Sequence, residues 1–177
     1  MPELIVKSAH LLDLDARTVY QLAKLRQDVF TLEQGATDAD LDGRELEEST
    51  ELLWAEEDGE VIAHLRILTE ADATVRIGRV AVRADRRRGG LGRRLMEAGI
   101  ARARELAGDG GVHIDAQAYL EQWYASMGFR TVSEVFMEAG IEHVAMVLEA
   151  EDAQSADAQP TESSEAGESS ASSASSH

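Results

Sequence analysis

Apolar and polar residues alternate along several short segments of the chain, a pattern typical of half-buried β-strands. Residues 52–57 and Glu60–Thr69 flank the dipeptide Asp58-Gly59, which suits a two-residue turn, so they predict a β-hairpin. The other predicted strands are residues 3–9, 75–83, 112–116, 129–137 and 143–149.

Two longer segments place their apolar residues at the spacing of a helix. The first begins after Asp15, whose carboxylate suits an N-cap. Its apolar positions are Val19, Leu22, Ala23, Leu25, Val29 and Phe30. Residues 90–107 form the second helix, which the glycine-rich run 108–111 ends. A third, short helix is predicted over 120–127.

The polar residues 34–50 predict a long loop with one helical turn. The element order is then β, α, β, β, β, α, β, α, β, β, which indicates an α/β fold whose sheet mixes strand directions. Residues 151–177 are rich in Ser, Ala, Glu and Asp and contain no Lys or Arg. They bury too little apolar surface to offset the entropy of ordering, so we expect one folded domain over 1–150 and a disordered acidic tail.

The chain of 177 residues contains no cysteine, which excludes a disulfide framework and a thiolate nucleophile and favours a reducing compartment. Its first residues lack the basic and apolar sections of a secretory signal. No apolar run approaches the ~20 residues that cross a bilayer. We therefore expect a cytoplasmic protein without a membrane partner.

Charge is distributed unevenly along this acidic chain, whose formal net charge is −17. Residues 76–104 hold ten arginines against Asp85 and Glu97, whereas residues 28–60 hold thirteen carboxylates against Arg44 alone. The basic segment is expected to attract an anionic ligand. The acidic segment fits either a solvated surface or a region that attracts a cationic ligand.

A glycine- and arginine-rich loop joins the predicted strand 75–83 to the helix 90–107. It lacks the lysine and hydroxyl of a P-loop and the third glycine of a dinucleotide-binding fingerprint. The remaining pattern is Arg87-x-x-Gly90-x-Gly92, whose glycines let backbone amides approach a pyrophosphate while nearby arginines neutralise it. Taken alone, it also fits a plain helix start with surface arginines.

The loop, the strand segment 79–82 and the later run 117–129 together resemble the GNAT-type acyl-CoA N-acyltransferases. Tyr124 and the dipeptide Gly128-Phe129 match that superfamily's pattern, whereas Gln117 stands where asparagine is common. The ElaA-like branch is most similar, through the segments 25–30, 33–34, 40–43, 76–82, 116–118 and 140–144. The resemblance covers residues 1–149 and implies a GNAT-like central mixed, mostly antiparallel β-sheet flanked by helices. Its strands are expected to diverge at the acyl-CoA site.

The resemblance implies that an acetyl (acyl) group passes directly from acetyl-CoA, as co-substrate, to a primary amine. The strand residues implied in pantetheine binding are Val80, Ala81 and Val82, and Gln117 is the further cofactor-binding candidate. The loop residues implied in pyrophosphate binding are Arg87, Arg88, Gly89, Gly90, Leu91, Gly92 and Arg93. Tyr124 is the implied general acid for the departing thiolate, because a phenol is ordinarily protonated at neutral pH.

The general base is less defined. Glu33 is our first candidate because it matches the branch pattern, although it also fits a role in shaping the acceptor pocket or capping a loop. His143 is the second candidate, with a structural histidine as the alternative, and His64 fits either the groove or the outside. We expect no metal, because the histidines lack ligand spacing and the Asp38–Asp42 series lacks the glutamate of a calcium loop.

The sequence is compatible with three functional classes. The first is an N-acetyltransferase with a small-molecule or peptide amine as acceptor, and by family resemblance a homodimer. The second is a non-catalytic module of the same fold that binds acyl-CoA or another anion. The third, nucleic-acid binding through residues 86–94, is opposed by the net negative charge, so we expect no nucleic-acid partner.

Overall fold

Eight strands form one mixed sheet in the computed structural model, which describes residues 5–150. The strands are β1 (Val6–Ala9), β2 (Glu51–Glu57), β3 (Glu60–Thr69), β4 (Val75–Val82), β5 (Val112–Gln117), β6 (Arg130–Thr131), β7 (Phe136–Glu138) and β8 (Ile141–Leu148). The α-helices are α1 (Ala16–Arg26), α2 (Leu91–Ala107) and α3 (Glu121–Ala125). The expected tail, 151–177, and the first residues of the strand predicted from residue 3 lie outside the described residues.

The strand order is β1-β2-β3-β4-β5-β8-β6, and β7 also pairs with β8. Every pairing is antiparallel except that of β4 with β5, which α2 connects. This topology confirms the predicted mixed, mostly antiparallel sheet. The hairpin around Asp58-Gly59 is also confirmed, with both residues at the positive φ values of 53° and 76° that such a turn requires.

Helices pack on both faces of the sheet, so the side chains of β2 are buried on both faces. Leu52 and Trp54 pack against α1, whereas their neighbours Leu53 and Ala55 belong to the core under α2. Asp15 caps α1 as predicted, its carboxylate accepting the backbone N–H groups of Arg17 and Thr18 at 2.9 and 3.1 Å. The helix continues as a π-helical segment, Gln27–Glu33.

The predicted strand over 129–137 is wrong in its continuity. β6 and β7 are separate short strands, and residues 132–135 lie between them. Val132 still bonds to β8, because its amide donates to the Ala145 carbonyl at 2.8 Å. The Ala145 amide, however, donates to the Ser133 hydroxyl at 2.9 Å and not to a backbone carbonyl, which interrupts the regular pairing. β8 begins earlier than predicted, directly after the two-residue turn Ala139-Gly140.

A buried network of ion pairs fastens the long loop, 34–50, to the sheet. Arg26, on α1, bonds to Asp40 at 2.7 Å and also to Glu45. Arg66, on β3, bonds to Glu45 and to Asp42, both at 2.7 Å. These carboxylates belong to the acidic segment, so part of that segment is structural and holds the loop in place.

We expect the stability of the protein to decline in acid because of this network. Burial raises the pKa of Glu45, but hydrogen bonds and charge from Arg26 and Arg66 outweigh it and lower the pKa below the ordinary 4.5. At Asp42 burial also raises the pKa, but the nearby arginines outweigh it and lower the pKa from 3.8 to about 2. A carboxyl group whose pKa is lowered in the folded state stabilises that state at pH values above the group's ordinary pKa. This stabilisation is lost as the pH falls through the pKa of the group in the folded state.

Urea unfolding from pH 7 down to pH 2 measures this loss. The free energy of unfolding attributable to the network should be constant above about pH 5 and fall steadily below it. The Glu45→Gln variant should show a shallower acid dependence than the wild-type protein. Equal slopes for the two proteins would contradict the assignment of the acid dependence to this network.

Candidate active site

β4 and β5 diverge and leave a cleft between them. The two strands pair only at Val75–Val112 and Arg76–His113. Beyond that point β4 carries a bulge opposite His64 and Arg66, with Arg79 at a φ of 53°. A bulge bends its strand and interrupts regular pairing, so it carries β4 away from β5.

A cavity of about 410 Å³ occupies this cleft. Its lining comes from β3, β4, β5 and β8, the loop 36–44, the turn between β7 and β8, the end of the π-helical segment and α3. The Thr37 amide donates to the Ala139 carbonyl at 3.1 Å, which joins the loop to the turn beside the cavity. The buried ion-pair network described above therefore also holds one wall of this cavity.

The edge of β4 that faces the cleft has backbone groups that are not paired with another strand. The Arg83 amide donates to the Ile62 carbonyl on β3 at 2.9 Å. Backbone polar groups alternate between the two sides of a strand, so those of Val82 and Val80 point away from β3, towards the cleft. Val80 lines the cavity, while Ala81 is buried opposite His64. The two valines thus have the orientation that an added strand-like ligand requires.

The predicted phosphate loop ends in a helix start that lacks a side-chain cap. Gly90 lies at a φ of 79°, and the first helical bond runs from the Arg94 amide to the Gly90 carbonyl at 3.1 Å. A Cβ at Gly90 would meet nothing within 4 Å, so its backbone conformation, not lack of space, favours glycine. The amides of Leu91, Gly92 and Arg93 have no intrahelical acceptor and surround the positive end of α2.

The loop arginines differ in their partners. Arg87 donates through Nε to the Val82 carbonyl at 3.0 Å and through Nη2 to Glu33 at 2.9 Å. Arg93 donates to the Ser126 hydroxyl at 2.6 Å. Arg88 is exposed and has no hydrogen bond or ion pair within residues 5–150. Arg88 is therefore available to an anion at this helix end, whereas Arg87 braces the end of β4.

Glu33, the first candidate for the general base, lies in this ion pair. Its carboxylate meets the Arg87 guanidinium at two points, and the hydrogen bond from Arg87 lowers its pKa below the ordinary value. Glu33 is not among the residues that line the cavity. Its role as a base stays a prediction, and what the structure shows is a link between the π-helical segment and the loop.

Tyr124, the candidate general acid, lines the cavity from α3. Its ring is 6% exposed and makes edge contacts with Trp123 and Phe129, at centroid distances of 4.8 and 6.1 Å. The hydroxyl has no hydrogen-bond partner within the described residues. Burial raises the pKa of Tyr124, so the phenol keeps its proton at neutral pH.

Gln117 lies at the end of β5, where it lines the cavity. Its side-chain amide donates to the Gln34 side-chain oxygen at 2.7 Å, across 83 positions of sequence. Gln34 follows the π-helical segment and lines the same cavity. The sequence analysis noted Gln34 only as part of a family segment, because no local pattern indicates a contact over such a separation.

The two candidate histidines occupy different environments. His143, on β8, lines the cavity, and its Nδ1 lies 2.8 Å from the Ile141 carbonyl. His64, on β3, is fully buried with Nδ1 at 3.0 Å from the Leu53 carbonyl, and it does not line the cavity. Burial lowers the pKa of His64 to about 3, so it is a neutral core residue.

Among residues 5–150, no group of three or more metal-ligating side chains converges on one point. Asp40 and Asp42, from the series compared with a calcium loop, are instead paired with arginines. None of the helices in that part of the chain combines the length and apolarity needed to span a bilayer.

The family of the protein follows from comparison with known sequences. Residues 19–150 match the family model described as an acetyltransferase (GNAT) domain, so the chain belongs to the GNAT family. This result confirms the predicted superfamily. It also agrees with the diverging strands, the bulged β4 and the glycine-rich helix start described above.

Individual relatives define the branch. A UPF0039 protein of Mycobacterium tuberculosis (strain ATCC 25618 / H37Rv) is 42% identical over 139 residues, covering 76% of this chain and 86% of that protein. ElaA of Escherichia coli (strain K12) is 34% identical over 146 residues, covering 81% of this chain and 95% of that protein. The chain is thus ElaA-like, as predicted.

Solved structures agree with this placement. The crystal structure of Escherichia coli ElaA matches with a TM-score of 0.78 at 32% identity, covering 83% of this chain and 100% of that chain. An acyl-CoA N-acyltransferase from Pseudomonas aeruginosa matches with a TM-score of 0.76 at 37% identity, covering 82% of this chain and 99% of that chain. Both similarities confirm the GNAT-like fold.

Proposed function

We propose that this protein is an N-acetyltransferase that moves an acetyl group from acetyl-CoA directly to a primary amine. One observation carries the proposal: the free edge of β4, the uncapped start of α2 and the cavity with Tyr124 follow one another along the cleft. The similar protein from Pseudomonas aeruginosa is an acyl-CoA N-acyltransferase, which supports acyl-CoA as co-substrate.

The residues divide the work along this cleft. The backbone of Val80 and Val82 pairs with pantetheine, and the strand's amides polarise the thioester carbonyl. The amides from Arg88 to Arg93, with the Arg88 guanidinium, hold the pyrophosphate at the positive end of α2. Tyr124 donates its hydroxyl proton to the sulfur as the carbon–sulfur bond breaks. The amine approaches through the cavity between β4 and β5.

An activity assay tests the proposal. Wild-type protein is mixed with acetyl-CoA and a panel of primary amines that includes diamines, amino acids and lysine peptides, and free CoA and acetylated amine are measured together. We expect both products in equal amounts with at least one amine. Binding of CoA, seen by calorimetry, without acetylation of any amine would instead favour the non-catalytic binding module.

A further inference from the structure

His143 has the geometry of a proton acceptor inside the cavity. Its side chain is 10% exposed, and Nδ1 lies within hydrogen-bond distance of the Ile141 carbonyl, at 2.8 Å. A carbonyl oxygen only accepts hydrogen bonds, so Nδ1 carries the ring's proton and the neutral ring has its lone pair on Nε2. Nε2 has no hydrogen-bond partner within residues 5–150. We propose that His143 is the general base of the acetyl transfer proposed above, on which this inference rests.

The neighbours of His143 hold its ring in place at the wall of the cavity. Phe136, on β7, stacks on the imidazole with a centroid distance of 6.0 Å and an interplanar angle of 25°. The Glu138 carboxylate lies 3.9 Å from Nε2. Gln117 is opposite in the β5–β8 register, and Tyr124 and Asp38 line the same cavity.

Glu33 is less suited to the same task. A guanidinium that bonds to a carboxylate stabilises its ionised form and makes it a weaker base. Arg87 does this to Glu33, and Glu33 lies outside the cavity lining. His143 and Tyr124, in contrast, line one cavity from different elements, β8 and α3. An amine in that cavity therefore has a proton acceptor and a proton donor available.

The acetyl transfer removes two protons from the amine nitrogen and delivers one proton to the sulfur. His143 Nε2 removes one proton from the bound ammonium group and releases it to solvent. The neutral nitrogen attacks the thioester carbon, the nitrogen–carbon bond forms and the carbon–sulfur bond breaks. The sulfur takes the electron pair and the Tyr124 proton. The second nitrogen proton, which is acidic once the nitrogen is bonded to the acyl carbon, passes to solvent in the cavity, and the Tyr124 oxygen regains a proton from that solvent. The products are the amide and CoA.

Two acceptors of similar shape test this role with the full-length enzyme. One is an alkylamine that the wild-type protein acetylates; the other is its fluorinated analogue, whose ammonium pKa lies below the assay pH. We expect His143→Ala and His143→Gln to lower kcat by about 100-fold with the alkylamine. The loss should be much smaller with the analogue, which arrives neutral. Added imidazole should partly restore the activity of His143→Ala.

Controls separate this role from a structural one. His113→Ala, on β5 and outside the cavity lining, should keep the wild-type kcat. The KM for acetyl-CoA should be unchanged in all variants, which also shows that they are folded. Equal losses with both amines, or a change confined to the KM for acetyl-CoA, would overturn the inference. An amine-selective loss in Glu33→Gln alone would assign the base to Glu33.

The same assay distinguishes failure of this inference from failure of the proposed function. If the wild-type protein acetylates amines but the His143 variants behave like His113→Ala, only the role of His143 is refuted. If the wild-type protein acetylates no amine, the proposed function fails and the inference falls with it.

Discussion

Tyr124→Phe is expected to lower kcat by about 100-fold or more, the usual contribution of a positioned general acid. The substitution removes only the hydroxyl that donates a proton to the leaving sulfur. That hydroxyl has no partner in the described structure, and the ring contacts with Trp123 and Phe129 are kept. Binding of CoA and the free energy of unfolding should therefore stay at wild-type values. Steady-state kinetics and calorimetry measure these quantities.

Tyr20→Phe is the matched control for this prediction. Tyr20 lies on α1, its side chain is exposed, and it does not line the cavity. Removal of the Tyr20 hydroxyl should change neither kcat nor KM. A wild-type kcat in Tyr124→Phe would remove the phenol from the proposed mechanism. A loss accompanied by weaker CoA binding would point to a role in positioning the thioester.

Glu45→Ala is expected to cost about 3–5 kcal/mol of stability, because it leaves two buried guanidinium groups without their shared carboxylate. Arg26 and Arg66 are both nearly inaccessible to solvent, and both bond to Glu45. Such a cost is a large part of the roughly 5–15 kcal/mol that holds a domain folded. Urea unfolding of the wild-type protein and of Glu45→Ala at neutral pH measures the difference in the free energy of unfolding. The same dependence on urea concentration is used to fit both proteins.

Glu47→Ala provides a matched comparison two residues away. Glu47 pairs with Arg44 at the surface, where its side chain is 43% exposed. Water solvates both partners there, so little change in stability is expected. Equal effects of the two substitutions would show that the buried network contributes no more than a surface pair.

Local sequence patterns were sufficient for most of the fold. The turn at Asp58-Gly59, the cap at Asp15 and the long amphipathic α2 depend on neighbouring residues, so their signals are present in short segments. The glycine- and arginine-rich loop, which is proposed to bind pyrophosphate, was recognised for the same reason, since its glycines directly precede the helix. The strand 129–137 was predicted incorrectly because its interruption depends on bonds to Ala145, far along the chain.

The site shows the same division. The resemblance to the superfamily's pattern indicated Tyr124 as the candidate general acid, and the structure places its ring in the cavity wall. The pairing of Glu33 with Arg87 joins residues that are 54 positions apart, so no segment pattern could show that the carboxylate is occupied. The position of His143 depends likewise on the pairing of β5 with β8.

The sequence by itself determined the family, the order of the elements and the loop that is proposed to hold pyrophosphate, because each depends on contiguous residues. Only the tertiary structure decided which charged groups are buried together and which titratable side chains face the cavity. The acidic segment illustrates the difference. The composition of this segment is the same whether its carboxylates are solvated or paired with arginines. Only the approach of Arg26 and Arg66 in the folded protein gives Asp40, Asp42 and Glu45 a structural role.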